Sequence, residues 1–114
     1  MQGTKSTDGT VTGAAATGNG TVMYPCTASD GAMELHTVQV QGINGDTVTF
    51  EAYLDEVPTW VAIQYTSLAT GTAATSTTAD GIFQSTKPVS GLTQVRARLT
   101  RVNGTVVIWG VLSA

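Results

Sequence analysis

Residues 93–110 read TQVRARLTRVNGTVVIWG, and the two halves of this stretch behave differently. Successive side chains of a β-strand point to opposite faces, so Val95, Ala97 and Leu99 fall on one side and Gln94, Arg96, Arg98 and Thr100 on the other. The first half therefore reads as a strand with one core face and one wet face. Asn103-Gly104 suits a two-residue turn, which needs positive φ at both central positions, and the apolar run behind it reads as a returning strand. The expectation is a β-hairpin. The returning strand has no polar side: Val106, Ile108 and Leu112 share one face, and Val107, Trp109 and Val111 share the other. Such a strand needs cover twice, from the rest of the domain or from another subunit.

The same alternation runs outward from this stretch. In ELHTVQVQG (34–42), His36, Val38 and Val40 oppose Leu35, Thr37 and Gln39; in DTVTFEAYL (46–54), Val48, Phe50, Ala52 and Leu54 face inward while Thr47, Thr49, Glu51 and Tyr53 face out. The GINGD segment (42–46) reads as the hairpin connection between these two. TVMYPC (21–26) is a short strand candidate whose Pro25 belongs at an edge or strand end, since it cannot donate to a ladder. WVAIQYTSL (60–68) reads as one strand, with Val61, Ile63 and Tyr65 opposing Trp60, Ala62 and Gln64, and GIFQSTK (81–87) as a short one. Between them SLATGTAATSTTADG (67–81) is small and polar, a long exposed loop or a loosely held edge ribbon. About seven strands at short spacing, with no helical period, predict an all-β fold, an antiparallel β-sandwich of jelly-roll-like or Greek-key type. Residues 1–20 are nearly all small or polar and read as a flexible N-terminal arm, leaving 21–114 as a single β-sandwich domain.

At 114 residues the chain is long enough to bury roughly two-thirds of its unfolded surface without disulfide or metal staples. Charged residues make up 11%, against roughly 25% in average soluble domains, and Thr, Ser and Gly fill the gap, which favours strands and turns. A net charge of −3 argues against a phosphate-backbone binder, which needs clustered cations. Cys26 is the only cysteine, so no intramolecular disulfide forms, and it reads as a small buried hydrophobe. The N-terminal segment lacks the apolar core of a signal peptide, and no apolar run approaches the roughly 18 residues that span a bilayer, so no membrane partner is expected.

Catalytic chemistry finds little support. His36 is the single histidine, with no G-x-S-x-G or other nucleophile signature beside it, and reads as a strand side chain without a catalytic role. Asp55 and Glu56 are adjacent carboxylates, but neighbours diverge in extended chain, and their place before Pro58 is that of a solvated turn. No EF-hand, phosphate-binding glycine loop or zinc spacing is present, so no enzyme activity, cofactor or metal is expected. Trp60, Trp109, Tyr53 and Tyr65 suit either a platform for sugar rings or core and interface packing, with packing the simpler reading. Arg96 and Arg98 have three readings. They form a solvated face pairing loosely with Glu51 or other carboxylates, or a contact with acidic surface on a neighbouring subunit or shell, or, least in keeping with the net charge, a nucleic-acid contact.

Three segments taken in order, TFEAYLDEVPTWVAIQ, GIFQSTK and GLTQVRARLTRVNGTVVIWG, resemble a β-sandwich module of structural proteins of tailed bacteriophages. In that module a strand of form T-V-x-F-E-x-x-L leads through a turn into W-V-A, and a later G-L-x-x-V-R-A-R strand precedes a glycine turn and a final strand. The likeness covers residues 46–112 and implies a virion protein, either a capsid decoration (cement) protein or a tail or fibre component. The expectation is a decoration protein that stabilises the head shell from the capsid exterior, bound to the major capsid protein and trimeric, with Arg96, Arg98, Val107, Trp109 and Val111 as interface candidates. The alternative is a tail or fibre accessory domain that binds a host surface glycan.

Overall fold

In the computed structural model the described residues are 3–6, 20–25, 35–54, 57–89, 92, 94–100, 102–103 and 106–113. They form eleven strands: β1 (Gly3–Ser6), β2 (Gly20–Pro25), β3 (Leu35–Gln41), β4 (Thr47–Leu54), β5 (Val57–Ala62), β6 (Tyr65–Ser67), β7 (Ala73–Ala74), β8 (Ser76–Thr77), β9 (Gly81–Ser85), β10 (Gln94–Thr100) and β11 (Val107–Ser113). All pairings are antiparallel. The first sheet has the order β1-β11-β3-β9-β6-β7, and the second β2-β10-β4-β5, with β8 also on β4.

The two sheets close on one core, as the alternation predicts. Val38, Val40, Tyr65, Phe83 and Ile108 come from the first sheet, and Val48, Phe50, Ala52, Val95, Ala97 and Leu99 from the second. Phe50 stacks on Tyr65 across the two sheets, ring centroids 4.2 Å apart and planes within 9°, and meets Phe83 at 5.6 Å. Each large side chain so buried contributes about 1.5–3 kcal/mol of transfer free energy. The fold is therefore an all-β antiparallel sandwich.

The connections differ from the sequence expectation. Residues 93–110 are not a hairpin: β10 lies in the second sheet between β2 and β4, while β11 lies in the first between β1 and β3. Residues 35–54 likewise cross between sheets, with β3 in the first and β4 in the second. The charges give a reason for the first case. A two-residue turn at Asn103-Gly104 would set Arg98 opposite Trp109 and Arg96 opposite Val111, whereas the observed register sets Arg96 opposite Glu51 and Arg98 opposite Thr49. The long-range pairing supplies a carboxylate, and the local one does not.

For the second case the arch itself is held from within. Gly42 and Gly45 take φ of 92° and 82°, the left-handed region that glycine reaches without a Cβ penalty. Asp46 is fully buried; its Oδ1 accepts the Asn44 N–H at 2.7 Å and its Oδ2 accepts the Val102 N–H at 2.6 Å. One carboxylate thus ties the β3–β4 arch to the β10–β11 connection. Asp80 accepts the N–H groups of Gly42 (3.2 Å) and Ile43 (2.9 Å) from the solvent side.

The stretch 60–68 is two strands rather than one. β5 ends at Ala62 in the second sheet and β6 begins at Tyr65 in the first, with Ile63 N–H donating to the Phe50 carbonyl (2.9 Å) and the Gln64 carbonyl accepting the Thr86 N–H (3.2 Å) at the crossing. Residues 67–81 are the edge ribbon. β7 extends the first sheet beside β6, β8 extends the second beside β4, and the Phe50 N–H donates to the Thr75 carbonyl (2.9 Å) between them. Within the N-terminal arm, β1 pairs with β11, Gly3 opposite Ser113. The remainder of the arm, Cys26 and the turn after it, Asp55-Glu56, Arg101 and Gly104 lie outside the described residues.

Because Asp46 is itself buried and its two hydrogen bonds are partly so, while those of Asp80 are exposed, their removal should differ in cost. Asp46→Ala is expected to lower unfolding free energy by roughly 2–4 kcal/mol and Asp80→Ala by less than about 1 kcal/mol, read from urea denaturation midpoints. Equal losses would mean that Asp46 is not what joins the arches.

Candidate functional site

The arginine face of β10 is the outer face of the second sheet. Glu51 on β4 stands directly opposite Arg96, and Tyr53 opposite Gln94. Glu51 Oε1 accepts Arg96 Nε–H at 2.6 Å and, diagonally along the strand, Arg98 Nε–H at 3.2 Å. From β5, on the far side of β4, Trp60 reaches the same cluster: the Arg96 guanidinium carbon sits 4.0 Å from the centroid of its ring, and the Tyr53 ring packs 5.2 Å away. The Glu51 side chain is 11% exposed, Arg96 19% and Arg98 41%. The arginines do pair with Glu51, as one of the sequence readings has it, and Arg96 is braced on two sides.

Burial alone would raise the Glu51 carboxyl pKa, but hydrogen bonds and charge from Arg96 and Arg98 outweigh it and hold the group below its ordinary value. A carboxylate so stabilised is a poor proton donor near neutrality, and the cluster is built to hold charge, not to transfer protons. Two cations share one anion, so this face keeps a surplus positive charge on a chain whose net charge is −3.

The other interface candidates lie on β11, an interior strand of the first sheet. Register sets Val107 opposite Gln41, Trp109 opposite Gln39 and Val111 opposite Thr37. Val106 and Ile108 are fully buried, which is one of the two covers the sequence requires, and Val107 is half-buried. The side chains of Trp109 and Val111 lie outside those described. The fold therefore separates the candidates into two groups, Arg96 and Arg98 on one sheet and Val107, Trp109 and Val111 on the other.

His36 is wholly buried in the first sheet, where its Nδ1 meets the Tyr65 hydroxyl and its main-chain N–H donates to Ser85 Oγ at 3.0 Å. Tyr65 is thus a core residue, not part of a sugar platform. Tyr53 packs with Trp60, and Trp60 with Arg96. A cleft of about 280 Å³ beside the ribbon is lined by Phe50, Tyr65, Phe83, Ser76, Thr77 and Asp80 among others, but its three rings are core rings and nearly inaccessible. Among the described residues no three His, Cys, Asp or Glu side chains group so as to hold a metal ion.

Sequence reasoning took the pairing of the two arginines with Glu51 for a loose, solvated one, and it missed the Trp60 brace and the buried Asp46. Only the last had a local signal, an Asp two residues after Asn44 that can accept its N–H in an Asx-type turn. The Glu51 cluster joins residues 45 and 47 positions apart, for which alternation gives the face and Glu51 as one candidate among the carboxylates, but not the geometry.

No family model matches the chain, and no curated protein matches it in sequence. Solved structures do match. The SPBc2 prophage-derived protein YomS superposes with a TM-score of 0.76 at 19% identity, over 99% of this chain and 94% of YomS. The PBSX exported protein XepA superposes with a TM-score of 0.76 at 17% identity, over 97% of this chain but 37% of XepA. At these identities the likeness is one of fold.

Burial drives the His36 pKa down to about 3, so the folded protein stays neutral there while the unfolded chain takes up a proton below about 6.5. Stability is therefore lost as pH falls from about 6.5 toward 3, by up to about 1.4 kcal/mol per pH unit. Glu51 acts in the same direction, since a depressed carboxyl contributes above its unfolded pKa and loses that contribution as pH falls through its folded one. Urea midpoints should accordingly drop between pH 6.5 and 5, a loss of about 1–2 kcal/mol. His36 is the only histidine, so its imidazole NMR signals can be followed unambiguously and should stay flat from pH 8 to 4. A midpoint near 6.5 would contradict the burial.

Proposed function

We propose that the chain is a structural component of a phage particle, and specifically a capsid decoration protein that binds the major capsid protein on the outside of the head and stabilises the shell. The observation that carries this reading is the match along nearly the whole chain to a protein named as prophage-derived, in which the same fold makes up 94% of the molecule. The chemistry agrees with it. The one charged cluster among the described residues is arranged to hold and present charge, and a protein that works by contact needs no more than that. A trimer is the assembly proposed, with the strand face of Val107, Trp109 and Val111 as the contact between copies, because from Val107 to Leu112 that strand carries no polar side chain on either face. The second reading, an accessory domain of a tail or fibre that binds a host glycan, draws on XepA, where the fold occupies 37% of a longer chain named as exported.

Gold-labelled antibody against the chain, applied to particles purified from cells that make it, separates these. Label on the head is expected, with purified protein sedimenting as a trimer at micromolar concentration. Label on the tail would replace the first reading with the second, and protein found only free in the medium would end both.

A further inference from the structure

We infer that Arg96 and Arg98 together form a docking site for an acidic protein segment bound in extended conformation, with two of its carboxylates spaced two residues apart. Both guanidiniums meet Glu51 through Nε alone, and both on the same oxygen, Oε1. Neither spends its η nitrogens on another described residue, so the outward halves of two planar forks remain as donors. A carboxylate accepts such a fork bidentately, with shorter and stronger hydrogen bonds than a neutral group makes.

The pair is already in position. Arg96 is fixed between Glu51 and the face of Trp60, which Tyr53 backs, and Arg98 is tethered to the same carboxylate while 41% exposed. Ordering these side chains in advance lowers the entropy lost on binding. Spacing narrows the ligand: residues two apart on one strand face are separated by about 6.5–7 Å, the same repeat that an extended segment gives to carboxylates at alternate positions.

Other polyanions fit less well. A nucleic-acid backbone would meet a chain of net charge −3 with one small basic spot. A saccharide would need an open aromatic face, and the Trp60 face here already carries Arg96. The inference rests on the proposed function only for the source of the acidic segment, the shell protein; the site chemistry stands apart from it.

The test uses the full chain and two pentapeptides, acetyl-Gly-Asp-Gly-Asp-Gly-amide and its Asn counterpart, with trigalacturonate as a third probe. Binding is read from the Arg Nε–H signals in ¹H–¹⁵N spectra. The Asp peptide is expected to shift both arginine signals saturably, to weaken several-fold between low and physiological salt, and to lose at least five-fold in affinity in Arg98→Gln, which leaves the Arg96–Glu51 pair intact. Arg96→Lys with Arg98→Lys keeps the charge and should still bind more weakly than the wild type. Equal shifts with the Asn peptide, unchanged affinity in Arg98→Gln, or saturable binding of trigalacturonate alone would each overturn the inference. Particle labelling keeps the two claims apart. Wild-type protein that binds the Asp peptide but is absent from particles removes the proposed function and leaves the docking site. Wild-type and Arg98→Gln protein decorating particles equally at every salt concentration removes the docking site and leaves the function.

Discussion

The register of β10 against β4 is fixed from both of its faces, and the rest of the sandwich is built against that pair. On the inner face Val95, Ala97 and Leu99 stand opposite Ala52, Phe50 and Val48; on the outer face Arg96 stands opposite Glu51. Side chains alternate with period two, so a slip of one residue would carry the apolar set into water and the arginines into the core. A slip of two would preserve burial, and in one direction it would only exchange Arg98 for Arg96 opposite Glu51; it would also set Leu99 opposite Phe50, where the observed register gives Phe50 the small Ala97. Hydrophobic alternation therefore excludes the first error, and the match of large to small side chains on the core face opposes the second. The ion pairs add to the observed register without choosing it alone, in keeping with the small net energy of partly exposed pairs.

Around this pair the chain moves between sheets at nearly every step. Among the described strands only β4–β5 and β6–β7 are neighbours both in sequence and in a sheet. Such a topology leaves few local pairings to nucleate on, and long-range contacts must be closed before they stabilise anything, the regime in which folding is slow relative to helical or hairpin-rich domains. It also leaves backbone groups at the crossings without a strand partner. Asp46 addresses that at one end of the sandwich by accepting the N–H of Asn44 in its own connection and that of Val102, 56 residues further along the chain. At the crossing between β5 and β6 the backbone of Phe50, Ile63, Gln64 and Thr86 satisfies itself.

What the sequence made legible follows from the range of each signal. The inward faces of β3, β4 and β10 are as alternation predicts, with Val38, Val40, Val48, Phe50, Val95, Ala97 and Leu99 all in the core. Topology was misread at two places for one reason: a glycine-containing turn between two apolar strands has the same local chemistry whether the strands pair in one sheet or face each other across the core. Nothing in Asn103-Gly104 or GINGD distinguishes a hairpin from an arch; the distant partner decides. WVAIQYTSL misled differently, because alternation continues in step through the crossing at Ile63-Gln64, so no break is visible. Val61, 56% exposed at the sheet edge, shows the consequence. The short strands β7 and β8 lie in Thr/Ala sequence with no apolar period at all, and they exist because the edges of β6 and β4 had backbone groups to pair. The arginine face was legible as a face with Glu51 among its partners; that one oxygen of Glu51 holds both arginines and that Trp60 braces Arg96 were not, since both are tertiary events.

The two outer surfaces are consequently unlike in kind. On the second sheet, Glu51, Arg96 and Arg98 give a site that is charged, aromatic and preorganised. On the first, β3, β6, β9 and β11 contain no Asp, Glu, Lys or Arg, and their described outward side chains are amides, threonines and aliphatics, among them Gln39 and Gln41, Thr37 held by Gln84 at 3.0 Å and exposed Ile82; the sheet's one charged residue among the described strands is Lys5 on edge strand β1, in register with Val111. Copies of a chain with net charge −3 repel at long range, and that repulsion is least across a face that carries little charge and no carboxylate among its described strands. Contact between copies is accordingly less costly through the first sheet, while an acidic partner is attracted to the second. A sandwich divided in this way can engage a larger surface and its own neighbours at once, because the two contacts use opposite faces and neither needs the other to move. For the proposed decoration protein the division implies that occupancy on the shell and association between copies respond to different variables: the first to salt through the arginine pair, the second to buried apolar and amide area, which salt hardly screens.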